Sequence, residues 1–363
     1  MLTKGPIGLV MPALAIGGHL ILKKNWIAIL DWRWLTLLVL VAVLLVPMSI
    51  GLYQQYGPDG LKFYFWTQSF GRITGENSWK NDTTPLYFTH VFLWSFLPWV
   101  LLAIGALIRE LKTLFKPASQ NQSEFYLISG IVLVSIALSL SKFKLPHYIF
   151  VVYPLISILC AKYINGLKNF TPWAWTQLSI AGSSVLVLAI LLLYCFPDGG
   201  WYVPFILLVF FGVATIYFFT SYRASQIVVP SFIMSIAIGL GLNLHFYPQI
   251  LPYQANAKVG KWMTENEMSH EGLIGFSTGG RALDFYAGGI IPWKKDVAST
   301  IDAISPGIIV YATEERYEEL KNHGQFPTKE MVFKDFEVQK LTIEFLNPKT
   351  REQVVKKKYL LFY

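Results

Sequence analysis

Charge is what this sequence has little of. Only 14% of its 363 residues are charged and 54% are hydrophobic, whereas about a quarter of a soluble domain is charged. That scarcity excludes a chain that is a water-soluble globule throughout and leaves a membrane composition with a soluble part attached. Cysteine is scarcer still. Cys160 and Cys195 are the two, both in or beside apolar runs, so there is no disulfide framework and no cysteine metal spacing; they read as small buried hydrophobes. Acids are short in the first 250 residues, which hold only Asp31, Asp59, Glu76, Asp82, Glu110, Glu124 and Asp198. The opening MLTKGPIGLV has neither the basic start nor the cleavage site of a secretory signal. The glycines of STGGRALDFYAGG, residues 277–289, are read as lacking a strand–GxGxxG–helix context, and no internal repeat or nucleic-acid motif stands out.

What is present is apolar length. Runs long enough to span a bilayer recur near 6–22, 34–53, 87–108, 124–141, 147–164, 177–196, 201–220 and 226–246. Residues 251–363 differ, with 15 Lys/Arg balanced by 15 Asp/Glu, so the whole net charge of +8 belongs to residues 1–250. The stretches 272–278, 307–313, 339–347 and 357–363 read as strands, and 253–268 and 314–324 as helices. The expected fold is therefore a polytopic α-helical membrane protein of about eight transmembrane helices with a small C-terminal α/β extracytoplasmic domain. Residues 1–250 form the membrane part and 251–363 the outer domain. Alternate connections hold nine Lys/Arg (Lys23, Lys24, Arg33, Arg109, Lys112, Lys116, Lys162, Lys168, Arg223) against six (Lys4, Lys62, Arg72, Lys80, Lys142, Lys144). The richer set is assigned to the cytoplasm, which puts the N-terminus and the tail outside.

Two outward lysines then need a reason. In SKFKLPHYIFVVYP, residues 141–154, Lys142 and Lys144 sit in a junction of a few residues between two apolar runs, followed by Pro146, His147 and Tyr148. A lone lysine there snorkels to the headgroups. Two in so tight a loop point to an anion, and the anion native to that depth is a lipid phosphate. Lys4 precedes the first apolar run in the same way. Residues 54–86 read as a long outer loop, whose LKFYFWTQSFGRI stretch suits a helix lying on the membrane with Phe63, Phe65, Trp66 and Phe70 as its apolar contribution. Arg72 within it is a rigid fork suited to phosphate or carboxylate.

The segments LTKGPIGLVMP, FYFWTQSFGRI, PLYFTHVFLWSFLPW and SKFKLPHYIFVVYP occur in the order of motifs in a known family. They resemble the aminoarabinose-transferase-like, protein-mannosyltransferase-like (family 39-type) glycosyltransferases of the GT-C superfamily. The resemblance implies an enzyme of the inner membrane, its C-terminal domain periplasmic. Such an enzyme moves a sugar from a polyprenyl-phosphate carrier to a lipid or protein acceptor on the outer face, as in lipid A modification. It implies phosphate binding by Lys4, Arg72, Lys142 and Lys144, with His147 and Tyr148 as neighbours, and no nucleic acid as partner. The family's catalytic acid lies in a first outer loop, and none of the seven acids forms that motif, so the catalytic residue is unassigned. The chain is expected to correspond to the C-terminal two-thirds of such an enzyme. Some relatives carry Glu-His where Gln68-Ser69 stands here; an amide and a hydroxyl are poor zinc ligands, so no metal and no cofactor is expected. His90, His147 and His245 read as hydrogen-bonded residues. The alternatives are a non-catalytic carrier-lipid-binding chain that needs a partner, and a transporter for a lipid-linked sugar. The second is disfavoured because the spans hold no ionised groups near the midplane.

Overall fold

A computed structural model describes residues 1–2, 5–74, 83–115, 125–197, 200 and 202–363, with Arg72 and Ile73 described by their backbone alone. Among these residues, five helical runs are long and apolar enough to cross a membrane: Trp26–Thr67, Pro146–Asn165, Thr171–Cys195, Tyr202–Thr220 and Ala224–Tyr253. Two shorter apolar helices, α1 (Ile7–Leu22) and α5 (Tyr126–Ser139), occupy two more of the expected crossings. The chain is a polytopic helical membrane protein with a small C-terminal sheet. It divides into two units, Met1–Ala181 with Ala214–Phe232, and Gly182–Val213 with Ile233–Tyr363.

In the first unit, two expectations need correction. The segment read as a loop from residue 54 is helical at first, because α2 runs Arg33–Lys62. Gly57 kinks it, with φ 62 and ψ −154, a conformation glycine adopts without a Cβ clash. A π-helical turn, Phe63–Thr67, and a short helix, Phe70–Thr74, follow. Phe63, Trp66 and Phe70 are exposed at helical spacing, as an interfacial helix requires, whereas Phe65 is only half-exposed. The crossing expected at 87–108 is instead two helices, α3 (Tyr87–Ser95) and α4 (Val100–Leu114). Pro98 has no N–H for a helical ladder, and its carbonyl receives Gln177 Nε2 at 2.7 Å.

The core of this unit is built by α3, α4, α5 and α6 (Tyr153–Asn165), with Phe88, Leu102, Ile131, Val152 and Leu159 buried. α1 lies along α5 through small residues, as membrane helices without a hydrophobic drive between them commonly do. A Cβ on Gly18 would come within 2.7 Å of the Ser129 Cβ, and one on Gly130 within 3.1 Å of the Ala15 Cβ. His19 Nδ1 accepts the backbone N–H of Phe125 at 3.0 Å, capping α5, and its ring stacks on Tyr126. Gly18→Ala is expected to cost about 1–3 kcal/mol by overpacking this seam. Gly17→Ala, whose Cβ meets nothing within 4 Å, should cost nothing. Thermal unfolding of the two variants in detergent checks this, and equal melting temperatures would remove the seam from the account. The buried Glu110 on α4 accepts from Lys162 Nζ at 2.9 and 3.1 Å. Burial makes that pairing obligatory for the carboxylate.

The second unit draws on α7 (Thr171–Ile190), α8 (Tyr202–Thr220) and α9 (Ala224–Gly241). Helical turns continue α9 to Tyr253. A single non-helical residue, Gln254 (φ −96, ψ 85), separates that run from α10 (Ala255–Glu265). The joint is tied at both sides: Phe336 N–H donates to the Tyr253 carbonyl at 2.8 Å, and Ala255 N–H to Asp335 Oδ1 at 3.2 Å. His245 is indeed hydrogen-bonded, through Nε2 to the Phe196 carbonyl at 2.8 Å.

Beyond α10 come β1 (Leu273–Phe276), α11 (Arg281–Tyr286), β2 (Trp293–Lys294), α12 (Val297–Ile301), β3 (Ile309–Thr313), α13 (Glu314–Asn322), β4 (Lys329–Asp335) and β5 (Lys356–Phe362). The sheet order is β2-β1-β3-β5-β4, with β1 parallel to β2 and β3, and β5 antiparallel to β3 and β4. Alternation of side chains sends Leu273, Tyr311 and Leu360 to one face, where they meet Val259 and Met263. Phe276, Val310 and Leu361 go to the other, where they meet Tyr317 and Leu320. The expected strand at 339–347 is absent. Thr342 caps a short helix, Ile343–Leu346, by accepting the Phe345 N–H at 3.3 Å. The sequence reading missed β2 and β4, the two edge strands. STGGRALDFYAGG does follow a strand and open a helix after all, without the GxGxxG spacing.

Candidate functional site

The site is assembled where α1 begins and α5 ends. Leu140 closes α5, Leu145 is extended (φ −121, ψ 145), and Pro146 opens a 3-10 turn to Val152. The proline accounts for both features, since it biases its predecessor away from helix and has φ preset for a first turn. Between them the Ser141 hydroxyl donates to the Phe143 carbonyl at 3.0 Å, which holds the junction tight. The N-terminal end is fastened from the other side, where the Tyr64 hydroxyl donates to the Met1 carbonyl at 2.6 Å. Gly5, at φ 70, lies so close that a Cβ there would come within 2.7 Å of the Tyr64 carbonyl.

These elements enclose a cavity of about 300 Å³. Its walls are apolar, from Ile7 and Met11 on α1, Val134 and Leu138 on α5, and Val151. Its polar atoms come from Gln68, Ser69, Ser141, His147 and Tyr148. An open groove of about 940 Å³ lies beside it, with Thr83, Thr84, Ser135, Ser139, Ser141, Lys142 and Lys144 as polar lining and Pro85, Leu86, Ile136 and Leu140 as apolar lining. Ser141 lines both spaces. One is suited to a hydrocarbon chain and the other to a polar, anionic head.

The two lysines differ in setting. Lys142 is exposed, and its Nζ donates to the Thr74 carbonyl at 3.0 Å. Lys144 is only 5% exposed, and its partners include the Thr83 carbonyl and hydroxyl, both at 3.3 Å. A buried ammonium needs oxygen acceptors around it, and a phosphate oxygen is a stronger acceptor than a carbonyl. Of the sequence-derived residues, Lys142 and Lys144 line the groove, and His147 and Tyr148 line the cavity beside it. Lys4 lies outside the described residues, and so does the side chain of Arg72, whose backbone is in the Phe70–Thr74 helix. Thr83 and Ser141 were not assigned to the site from the sequence. For Ser141 the signal was its place at the head of the lysine motif; for Thr83 there was none.

No family model matches the chain. Among curated proteins it is 27% identical over 168 residues to the undecaprenyl phosphate-alpha-4-amino-4-deoxy-L-arabinose arabinosyl transferase of Edwardsiella ictaluri, covering 46% of this chain and 29% of that protein. It is 28% identical over 195 residues to the enzyme of the same name from Erwinia tasmaniensis, covering 53% and 34%. It is 30% identical over 178 residues to a second form from Sodalis glossinidius, covering 46% and 31%. The matched stretch is thus about a third of each relative's length. Among solved structures, the chain is similar to ArnT from Cupriavidus metallidurans bound to undecaprenyl phosphate, with a TM-score of 0.66 at 18% identity, covering 88% of this chain and 63% of that one. The apo form of the same protein gives 0.66 at 19% identity. The likeness in structure is one of fold. With the sequence matches, it establishes the resemblance to the aminoarabinose-transferase-like glycosyltransferases that the motifs carried.

Proposed function

We propose that the chain forms the carrier-lipid-binding part of a membrane glycosyltransferase. In that reading a sugar leaves a polyprenyl-phosphate carrier at the outer face of the inner membrane for a lipid or protein acceptor, with residues 251–363 as a periplasmic domain above the membrane part, 1–250. The observation that carries this is the pairing of an apolar cavity with a groove that holds two lysines, through one shared residue, Ser141. A carrier lipid has that same division, hydrocarbon at one end and phosphate at the other. Its first isoprene units would lie against α1 and α5, and its phosphate would reach Lys142 and Lys144 from the groove. Positive charge fixed there stabilises the negative charge that collects on the carrier phosphate as the sugar departs. Lys4 and Arg72 complete the proposed cationic set. The relatives named above are transferases of a sugar carried on undecaprenyl phosphate, and one neighbouring structure holds that lipid, which supports the same class of donor here.

The test is a comparison of two lipids that differ only in the head. Titrated into the purified chain in detergent, undecaprenyl phosphate is expected to bind about thirtyfold more tightly than undecaprenol. That ratio is the share of the buried Lys144 contact, about 2 kcal/mol, to which the exposed Lys142 adds little. Equal affinities would leave a hydrocarbon cavity with no phosphate site.

A further inference from the structure

Beyond β1, a short stretch of the tail puts apolar side chains into water. Phe285 at the end of α11 is 79% exposed, Ile290 in the following turn 84%, and Trp293 on β2 58%. The end of α11 is tied to the turn that carries Ile290, because the Ile291 N–H donates to Asp284 Oδ1 at 3.0 Å and the Gly289 N–H to the Asp284 carbonyl at 3.1 Å, and Trp293 follows on β2, paired with Gly275 of β1. Cations frame the stretch. Lys261 Nζ stands 4.9 Å over the Tyr286 ring and Lys295 Nζ 5.6 Å over the Trp293 ring, with Arg281 and Lys294 exposed or half-exposed beside them. Single exposed apolar residues need no explanation, but a framed aromatic strip does.

The fold also sets how far this strip can lie from a bilayer. Gly260 on α10 takes α11 into close contact, since a Cβ there would come within 2.7 Å of the Tyr286 Cβ. Gly260 lies only seven positions along mostly helical chain from Tyr253, where the apolar run beginning at Ala224 ends. At 1.5 Å per helical residue that is about 10 Å, and a headgroup layer is about 5–8 Å deep.

We propose that this strip docks into the headgroup layer of the membrane that α9 crosses. Trp293, Phe285 and Ile290 enter the interface and Lys261, Lys294 and Lys295 meet anionic phospholipid headgroups. Aromatic and basic side chains side by side are what that layer accommodates, the rings at its apolar boundary and the ammonium groups among phosphates. Docking fixes the domain at a second point, β2, besides the Gln254 joint. The proposal rests on the membrane character of the chain and on no feature of the carrier site.

The test uses the full chain, with Cys195→Ser, in nanodiscs of phosphatidylcholine and phosphatidylglycerol. Phe285→Cys, Ile290→Cys and, on the opposite edge strand β4, Val332→Cys are each labelled with an environment-sensitive fluorophore. Lipids spin-labelled near the top of the acyl chain are expected to quench the label at 285 and 290 and not at 332. Lys294→Ala with Lys295→Ala should lower the docked-to-undocked ratio about thirtyfold, the equivalent of about 1 kcal/mol for each lysine, and bring quenching at 285 down to the level at 332. Quenching at 285 no greater than at 332 would overturn the proposal. So would protection of 285 that appears only as protein density rises, which would assign the strip to a second copy of the chain. Quenching indifferent to both phosphatidylglycerol and the two lysines would refute the anionic partner.

Discussion

Lys144→Ala is expected to weaken binding of undecaprenyl phosphate by about thirtyfold while leaving undecaprenol binding unchanged, in keeping with loss of a charge-assisted contact of about 2 kcal/mol. Lys142→Ala should cost less, because that ammonium is exposed and works in water. Salt separates the two as well: the Lys142 contribution fades as ionic strength rises and the Lys144 contribution persists. The competing account makes both lysines fasteners, one holding Thr74 and the other Thr83. Under that account Lys144→Ala weakens the phosphate and the alcohol alike. Lys144→Arg would then be as harmful as alanine, because the carbonyl geometry is lost in both. If the two lipids lose affinity in parallel, the phosphate role of Lys144 is wrong.

The second large effect is on stability and belongs to Arg351. Its guanidinium Nε donates to the Phe345 carbonyl at 2.8 Å, and its Nη2 donates to the carbonyls of Leu346 and Cys195. It also lies 4.2 Å from the Phe196 ring and 5.6 Å from that of Phe345. Cys195 ends the helical run begun by α7, so a fixed cation stands at the negative end of that helix. Arg351→Ala removes these together and is expected to cost about 3–4 kcal/mol in the local stability of the tail. That corresponds to a rise of over about a hundredfold in its opened population. Limited proteolysis of the chain in detergent reads this as faster cleavage within 251–363. Arg351→Lys recovers the charge but not the fork, so its cleavage rate should fall between the two. An Arg351→Ala chain cut no faster than the parent would mean that the aromatic group around Phe345 holds the region unaided.

Most of the membrane half could be read in advance because apolar length has only one use there. The errors fell where two physical effects compete. Residues 54–62 looked like loop because Gly57, Pro58 and Asp59 break helices in water, yet the helix continues past a single kink. The run through Pro98 looked continuous because proline is tolerated in packed spans, and the partner that makes its break stable, Gln177, is far away in sequence. In the tail, the β-branched residues of 339–347 signalled strand while Thr342 signalled a helix cap, and the cap prevailed. β4 carried little signal because an edge strand has no fully buried face, and Lys329, Glu330, Lys334 and Asp335 hide its alternation. The lysine motif was the most legible part of the site, since charge in so apolar a setting needs a cause. The cavity beside it was not, because its walls are ordinary aliphatic residues drawn from separate helices.

The joint at Gln254 carries a last consequence. Because one residue alone interrupts the helical path, and because the Phe336 and Asp335 bonds brace it, the joint behaves as a shaft coupling rather than a tether. Each residue of helix advances about 1.5 Å and turns about 100°. Adding or removing one residue before Gln254 would therefore swing β2 and the rest of the sheet by more than a quarter turn while barely lifting them. Changes of length at this point are tolerable only in near-whole turns, so the aim of the domain is set by phase and not by reach.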